Sequence, residues 1–302
     1  MYVVLAVACM IVVALVIIII IIIIIAANAG STSSTTGADL VVMRANRVAG
    51  QGELLADLPV GDLQTRRGGI WNASVSLKKS KITTFQGQPA LMVFYGKGSG
   101  TSSHGGVGGV TVHSVPPTFP RESAILEFQA FFVEGWQWSK GGKIGGFFIG
   151  NGKASGKAHS DTGSSHRFTF GREGAAHSYV YLPSNLVQDP SLRQTGPCKD
   201  CGVGLPGFLE LFKAGTLKIG QWNTVRLGVR LNSFDAAGNP QQDGHALLQV
   251  NGKTGTATNI KWRRSPDLKI SAFVLNTFFG GPDPATVDCT AYFRNFKIFA
   301  WA

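Results

Sequence analysis

The sequence predicts an all-β protein: an antiparallel β-sandwich of jelly-roll type, preceded by an N-terminal transmembrane helix. Three observations support this prediction. Short runs rich in β-branched and aromatic residues recur along the chain, and most end in Gly, Pro, Asn or Asp. Helical periodicity is scarce after residue 27. The residues before that point form an uncharged apolar segment instead.

That apolar segment, residues 1–27, is assigned to a membrane anchor. It contains nine consecutive isoleucines, Ile17 to Ile25, and at about 1.5 Å per residue its length exceeds the roughly 30 Å of a bilayer core. The alternative is a cleaved signal peptide, because the small residues "AANAG" follow the isoleucines. The segment lacks a basic start, and its apolar run exceeds the usual length of about 7 to 15 residues, so a single-pass anchor is favoured.

A polar linker, residues 28–47, contains the sequence "STSSTTGAD" and has no apolar periodicity. The remaining chain, residues 48–302, has a length that one β-sandwich can fill. The sequence therefore predicts an anchor, a linker and one folded domain.

Strands of this domain are predicted at eight runs of the sequence: 90–96, 124–133, 166–171, 177–183, 222–232, 245–252, 268–281 and 291–301. One stretch, residues 206–215, is instead a modest helix candidate. In the last run, strict alternation predicts that Tyr292, Phe296 and Ile298 share one face, with Phe293 on the other.

The charge balance favours an anionic partner. The chain has 28 Lys and Arg against 17 Asp and Glu, a net charge of +11, which suits nucleic acid, anionic lipid or an acidic polymer. Nucleic acid is not favoured, since the sequence has no long basic run, recognition-helix pattern or RNP-like aromatic motif.

The cysteines do not indicate a metal site. Cys198 and Cys201 form a lone C-x-x-C motif, and no second ligand pair lies at metal-binding spacing. A local disulfide or plain thiols are favoured over zinc. No metal and no cofactor are predicted.

Lys143 lies in a glycine-rich stretch, "WSKGGKIGGFFIGNGKASG", whose backbone is expected to be flexible. A phosphate-binding loop is excluded, because the glycine-to-lysine spacing is one residue short of the P-loop pattern and the hydroxyl that holds Mg²⁺ is missing. The stretch is interpreted as a strand and turn, with Lys143 as a candidate site residue.

Two further pairs are candidates by strand geometry. Ser165 and Arg167 are two residues apart, as are Tyr179 and Tyr181, so each pair faces one way on a strand. If the strands are neighbours, these groups converge, and Lys143 could reach them from an adjacent strand. Each piece also has an ordinary explanation: Tyr-x-Tyr is a common strand pattern, and Lys143 could be a solvated turn residue.

Together the five residues suit β-elimination from a uronate polymer. That reaction needs the C6 carboxylate neutralised, the C5 proton removed and the departing O4 protonated. Arg167 and Lys143 would pair with the carboxylate. Tyr179 and Tyr181 would serve as base and acid in an unresolved order, and Ser165 would position the substrate.

Several motifs then indicate a family. "YGKGS" (95–99), "AILEFQAFF", "WSKGGKIGGFFIG" and "YVYLP" resemble polysaccharide lyase family 14, the alginate and glucuronate lyases of algal viruses and molluscs. The resemblance implies a β-jelly roll that cleaves uronate polymers without a required metal. Its functional set, a GGK lysine, a Ser-x-Arg pair and a Tyr-x-Tyr pair, matches the five candidates in order. The family's KGGKLPGL segment lacks its proline here, which leaves the substrate open.

The sequence therefore predicts a membrane-anchored lyase acting on an anionic, uronate-containing polysaccharide of the alginate or glucuronan type. The expected setting is a membrane, in a virion with capsid proteins as partners. The rival is a non-catalytic structural or glycan-binding jelly roll, such as a minor virion component. The anchor favours this rival, and the complete set of five residues favours the enzyme.

Overall fold

The computed structural model describes residues 52–64, 69–100, 108–139, 141–152, 154–155, 160–183, 185–194, 208–280 and 284–301. The predicted anchor (1–27) and linker (28–47) lie outside the described residues, and both stay predictions. Within the described ranges, no helix has the length and hydropathy needed to span a membrane.

Strands dominate the described part of the chain and are numbered in chain order. They are β1 (Leu54–Leu58), β2 (Ala73–Ser76), β3 (Lys81–Phe85), β4 (Gln88–Tyr95), β5 (Val110–Ser114), β6 (Ser123–Phe132), β7 (Gly142–Gly150), β8 (Gly163–Phe170), β9 (Ala175–Tyr181), β10 (Phe208–Thr216), β11 (Trp222–Arg230), β12 (Gly244–Val250), β13 (Lys253–Ile260), β14 (Ile270–Phe279) and β15 (Cys289–Phe299). The helical segments among these residues are short 3₁₀ turns at Val60–Gln64, Arg172–Gly174 and Pro190–Gln194.

The strands form two antiparallel sheets. An eight-stranded sheet has the order β13-β12-β11-β6-β15-β4-β3, with β1 also paired to β15. A seven-stranded sheet has the order β10-β9-β8-β7-β14-β5-β2. The prediction of an antiparallel β-sandwich is confirmed.

Aromatic side chains from both sheets fill the space between them. Trp71 lies 6.0 Å from Phe273 of the seven-stranded sheet and 5.4 Å from Phe296 of the eight-stranded sheet, measured between ring centroids. Phe128 stacks on Phe296 at 5.6 Å. All four rings are buried, and each such ring contributes on the order of 2 kcal/mol through removal of apolar area from water. This core fixes the two sheets face to face.

Each of the eight predicted runs coincides with a strand: β4, β6, β8, β9, β11, β12, β14 and β15. The helix candidate at residues 206–215 is wrong, because Phe208–Thr216 forms β10 and pairs with β9. Without β10, the backbone N–H and C=O groups along that edge of β9 would lack ladder partners. Sheet pairing therefore outweighs the weak helical pattern.

Strict alternation in the last strand is also wrong. At Asn295 the backbone adopts a φ of 55°, and the register of β15 against β6 shifts there. This β-bulge reverses the facing of the residues that follow. As a result Phe296 and Ile298 are buried on the same side as Phe293, while Tyr292 is half-buried on the other face.

Candidate functional site

The five predicted residues lie on three neighbouring strands of the seven-stranded sheet. Arg167 on β8 is directly opposite Tyr179 on β9, and Ser165 is opposite Tyr181. Residues opposite each other in an antiparallel pair project from the same face. The intervening β8 residues, such as Phe168, point into the core. The four side chains therefore belong to the outer face of the sheet.

Lys143 reaches this group from β7. The register of β7 against β8 shifts between Lys143 and Gly145. The Lys143 Nζ donates a hydrogen bond to the Tyr181 hydroxyl over 3.1 Å. It also lies 4.7 Å from the Tyr179 ring centroid and 4.9 Å from that of Tyr181. The ammonium is thus held between two phenol rings whose centroids are 5.5 Å apart.

Arg167 is a buried cation. Its side chain is 4% exposed, and its guanidinium carbon lies 4.2 Å above the Phe148 ring. Among the described residues, its Nε atom has no hydrogen-bond partner, and no carboxylate is paired with it in the ion pairs found there. A buried charge without a counter-ion is unfavourable in a protein interior. The arrangement suits an anion that arrives from outside.

Glycine at position 146 allows β7 to approach Arg167. Gly146 is directly opposite Arg167 and has a φ of 152°. A Cβ atom there would lie 1.9 Å from the His166 carbonyl oxygen, so only glycine fits without moving the strand.

Ser165 is placed differently from the other four residues. It is fully buried, and its hydroxyl donates a 2.7 Å hydrogen bond to the carbonyl oxygen of Ala154. This bond holds Ala154 against the outer face of the sheet. The structure therefore brings together the charged and phenolic groups of Lys143, Arg167, Tyr179 and Tyr181, whereas the Ser165 hydroxyl is engaged beside them.

Burial changes the protonation of this site. It lowers the pKa of Lys143; the charge and hydrogen bond of Tyr181 act in the opposite direction, and the Arg167 charge lowers the pKa further. Burial also lowers the pKa of Arg167, to about 10, while Tyr181 opposes the shift. Burial raises the pKa of Tyr179, and Tyr181 raises it again. At neutral pH the site thus contains a charged arginine, a protonated Tyr179 and a lysine that loses its proton more readily than usual.

Two supporting residues were not identified from the sequence. Phe148, which carries the Arg167 guanidinium, belongs to the "GGFFIG" run and could have been suggested by its position on a predicted strand. His166 points away from the site into the core: its Nδ1 lies 3.1 Å from the Gly228 carbonyl oxygen on β11, and its Nε2 lies 2.7 Å from the Ser178 hydroxyl on β9. It therefore joins β8 to β9 of the same sheet and to β11 of the opposite sheet.

No group of three or more His, Cys, Asp or Glu side chains that could hold a metal occurs in the described part of the chain. The C-x-x-C cysteines, Cys198 and Cys201, lie outside it. Cys289 is a buried thiol.

Comparison with known proteins identifies the family. The model of the family Polysaccharide lyase 14 matches residues 83–296, which include all five predicted site residues. The chain belongs to polysaccharide lyase family 14. This membership confirms both the predicted resemblance and the predicted enzyme class, a polysaccharide lyase.

Individual relatives agree with the family. The crystal structure of the alginate lyase vAL-1 from Chlorella virus is 39% identical, with a TM-score of 0.73 over 82% of this chain and 100% of that one. The family-14 alginate lyase from the mollusc Aplysia kurodai is 24% identical, with a TM-score of 0.64 over 76% of this chain and 90% of that one, and it supports the fold.

A third relative is a longer protein. Exolysin from Paramecium bursaria Chlorella virus 1 is 30% identical over 205 residues, which is 60% of this chain. The match spans only 30% of exolysin's length.

Proposed function

We propose that this protein cleaves an anionic, uronate-containing polysaccharide of the alginate or glucuronan type by β-elimination at the Lys143–Arg167–Tyr179–Tyr181 cluster. The observation that supports this most directly is the 3.1 Å hydrogen bond between Lys143 Nζ and the Tyr181 hydroxyl, beside a buried arginine. Alginate lyase vAL-1, the 39% identical relative, supports the choice of polymer class.

In the proposed reaction, Arg167 pairs with the C6 carboxylate. Substrate binding supplies an anion to a guanidinium that has no carboxylate partner among the described residues, and it also makes the C5 proton more acidic by neutralising the carboxylate. Since the guanidinium stacks on Phe148, its position is set before the substrate arrives.

Lys143, in its neutral form, then removes the C5 proton. Burial and the Arg167 charge both favour the neutral amine. The electron pair of the broken C5–H bond forms the C4–C5 double bond, and the C4–O4 bond breaks. This assignment differs from the sequence-based hypothesis, in which Lys143 neutralised the carboxylate and a tyrosine was the base.

Tyr179 supplies the proton to the departing O4. Its raised pKa keeps the phenol protonated, which suits an acid rather than a base. Tyr181 holds the Lys143 nitrogen through its hydrogen bond. After each turnover, the proton gained by Lys143 must return to Tyr179 directly or through water.

Formation of unsaturated uronate ends tests this function. Full-length protein is incubated with alginate and with polyglucuronate, and the new C4–C5 double bond is followed by ultraviolet absorbance. Product from either polymer supports the proposal. Its absence across neutral to alkaline pH, with retained binding to the polymer, would favour the non-catalytic glycan-binding alternative.

We also propose that residues 1–27 hold the domain at a membrane, in a virion with capsid proteins as partners. The uncharged isoleucine-rich sequence and the relatives from Chlorella viruses support this setting. Fractionation of expressing cells tests the anchor: the full chain should stay with membranes after alkaline washing, and a variant without residues 1–27 should not. Equal release of both would contradict it.

A further inference from the structure

A transverse row of residues extends from the candidate site across the seven-stranded sheet. Arg167 on β8 is opposite Gly146 on β7, Gly146 is opposite Val274 on β14, and Val274 is opposite His113 on β5. All four positions therefore share the outer face. Three inter-strand steps of about 4.8 Å place His113 about 14 Å from Arg167 at the backbone.

The surface between these two residues is apolar. Phe148 lies beneath the Arg167 guanidinium at 4.2 Å and is 6.1 Å from the His113 ring, measured between ring centroids. Val274, at 2% exposure, is buried beneath this surface and Gly146 adds no side chain, so the accessible part of the floor is the half-buried Phe148. A pyranose ring presents C–H groups on its faces and hydroxyls at its rim. A floor of this kind with polar groups at its end suits a sugar unit.

Polar groups lie at the far end of the floor. His113 is exposed, and Thr111 donates a 3.4 Å hydrogen bond to the Asn276 side-chain oxygen on the neighbouring strand. Strands β2, β5 and β14 contain no Asp or Glu. The outer face of these strands therefore offers hydrogen-bonding groups without repelling a polyanion.

One side of the row is closed. The hydrogen bond from Ser165 to Ala154 holds Ala154 over the sheet, and Ala272, which is opposite Phe148, is buried although it is on the outer face. A long ligand lying beside this wall would run across the strands, from the tyrosines toward His113.

We infer that His113, with Thr111 and Asn276, forms a distal subsite that binds a uronate unit of the same polysaccharide chain, away from the bond that is cleaved. The inference rests on the proposed function. One 1,4-linked sugar unit advances a chain by a distance close to one inter-strand spacing, so the subsite would take the third unit from the one held by Arg167. Oligosaccharides too short to reach it would not use it.

The dependence of binding on chain length tests this inference. Full-length His113→Ala and His113→Gln variants are compared with the unsubstituted chain, using uronate trisaccharides and octasaccharides. Thr256→Ala, an exposed position on β13 of the other sheet, is the matched control. The histidine variants should raise KM several-fold more for the octasaccharide than for the trisaccharide, with little change in kcat, whereas the control should not alter this ratio.

An equal effect of His113→Ala on both lengths, or no effect on either, would overturn the inference. Affinity is also measured by calorimetry in a Lys143→Ala background, where turnover is not needed. If the unsubstituted chain forms no unsaturated product, the proposed function fails. Calorimetry still tests the subsite in that case. The subsite is supported if His113→Ala weakens octasaccharide binding more than trisaccharide binding, and it is excluded if both weaken equally.

Discussion

The ammonium nitrogen of Lys143 lies 3.1 Å from the phenol oxygen of Tyr181, although strand β8 separates the strands that carry them. The two side chains extend toward each other across the outer face of β8, where Arg167 projects. An amine, two phenols and a guanidinium are thereby brought together on one face of the sheet. The proposed reaction needs this convergence, because no single residue supplies a base, an acid and a cation.

Substitutions of Lys143 test whether this residue acts as a general base or only as a positive charge. Lys143→Ala should lower kcat by about 100-fold or more, as removal of a general base typically does. Lys143→Arg keeps a cation but cannot supply a neutral amine, so it should lose activity to a similar extent. Initial rates of unsaturated-uronate formation measure both. Lys81→Ala, at an exposed lysine of the other sheet, is the control and should retain full activity.

Substantial activity in Lys143→Arg would contradict the role of Lys143 as base. It would return the residue to the neutralising role that the sequence first suggested, with a tyrosine as the base.

The Arg167→Met substitution should lower activity without lowering thermal stability. The substitution keeps much of the aliphatic volume over Phe148 and removes a buried charge that is not ion-paired with any carboxylate in the described chain. We expect activity to fall about 100-fold or more, because an oriented charge at the reacting group is lost. The melting temperature should stay the same or rise. A fall of several degrees alongside lost activity would instead make Arg167 a structural residue.

The pH profile of kcat/KM should rise as Lys143 loses its proton. Because burial lowers the pKa of Lys143, this rise should occur below the ordinary lysine value of 10.5. The Tyr181 hydrogen bond and charge raise that pKa, so Tyr181→Phe should move the rising limb to lower pH while retaining measurable activity. A shift to higher pH, or complete inactivity of a folded Tyr181→Phe protein, would contradict the assigned roles of Lys143 and Tyr181.

His166 should make the protein less stable in acid. Burial lowers its pKa from 6.5 to about 3 in the folded state. Below pH 6.5 the unfolded chain therefore binds a proton that the folded chain does not. The contribution of His166 to the free energy of unfolding is fully present above about pH 6.5. It is lost as the pH falls toward 3, and the loss is a few kcal/mol at most.

Thermal unfolding at several pH values measures this effect. His166→Gln can keep both hydrogen bonds without titrating, so its melting temperature should depend less on acid than that of the unsubstituted chain. Parallel curves for the two proteins would exclude His166 as the source of the acid sensitivity.

The fold could be predicted from the sequence wherever one strand is strongly patterned. Runs such as β6 and β11 combine apolar alternation with turn residues at their ends, and both were predicted. β10 was missed because its pairing with β9 is a tertiary interaction that local composition does not record. The alternation of β15 failed at Asn295, since a bulge depends on the partner strand as much as on the residue itself.

The placement of the candidate site residues was predictable in part from the sequence. Period-two spacing placed Arg167 with Tyr179 and Tyr181 on one face, as the structure shows. The same reasoning could not reveal that Lys143 follows a register shift, or that the Ser165 hydroxyl is engaged by Ala154. The proposed exchange of roles between Lys143 and a tyrosine rests on the burial of both side chains, which local sequence does not show.

The hydrogen bonds of His166 have a consequence for enzyme engineering. His166 separates Ser165 from Arg167 along β8, and its ring is anchored to Gly228 of the opposite sheet. On its other side, Gly228 is packed so closely that an added Cβ would lie 2.7 Å from the Trp301 ring. Substitutions at Gly228 or Trp301, far from any bound sugar, should therefore alter catalytic rate by tilting β8. A mutant library restricted to the candidate site residues would leave out Gly228 and Trp301.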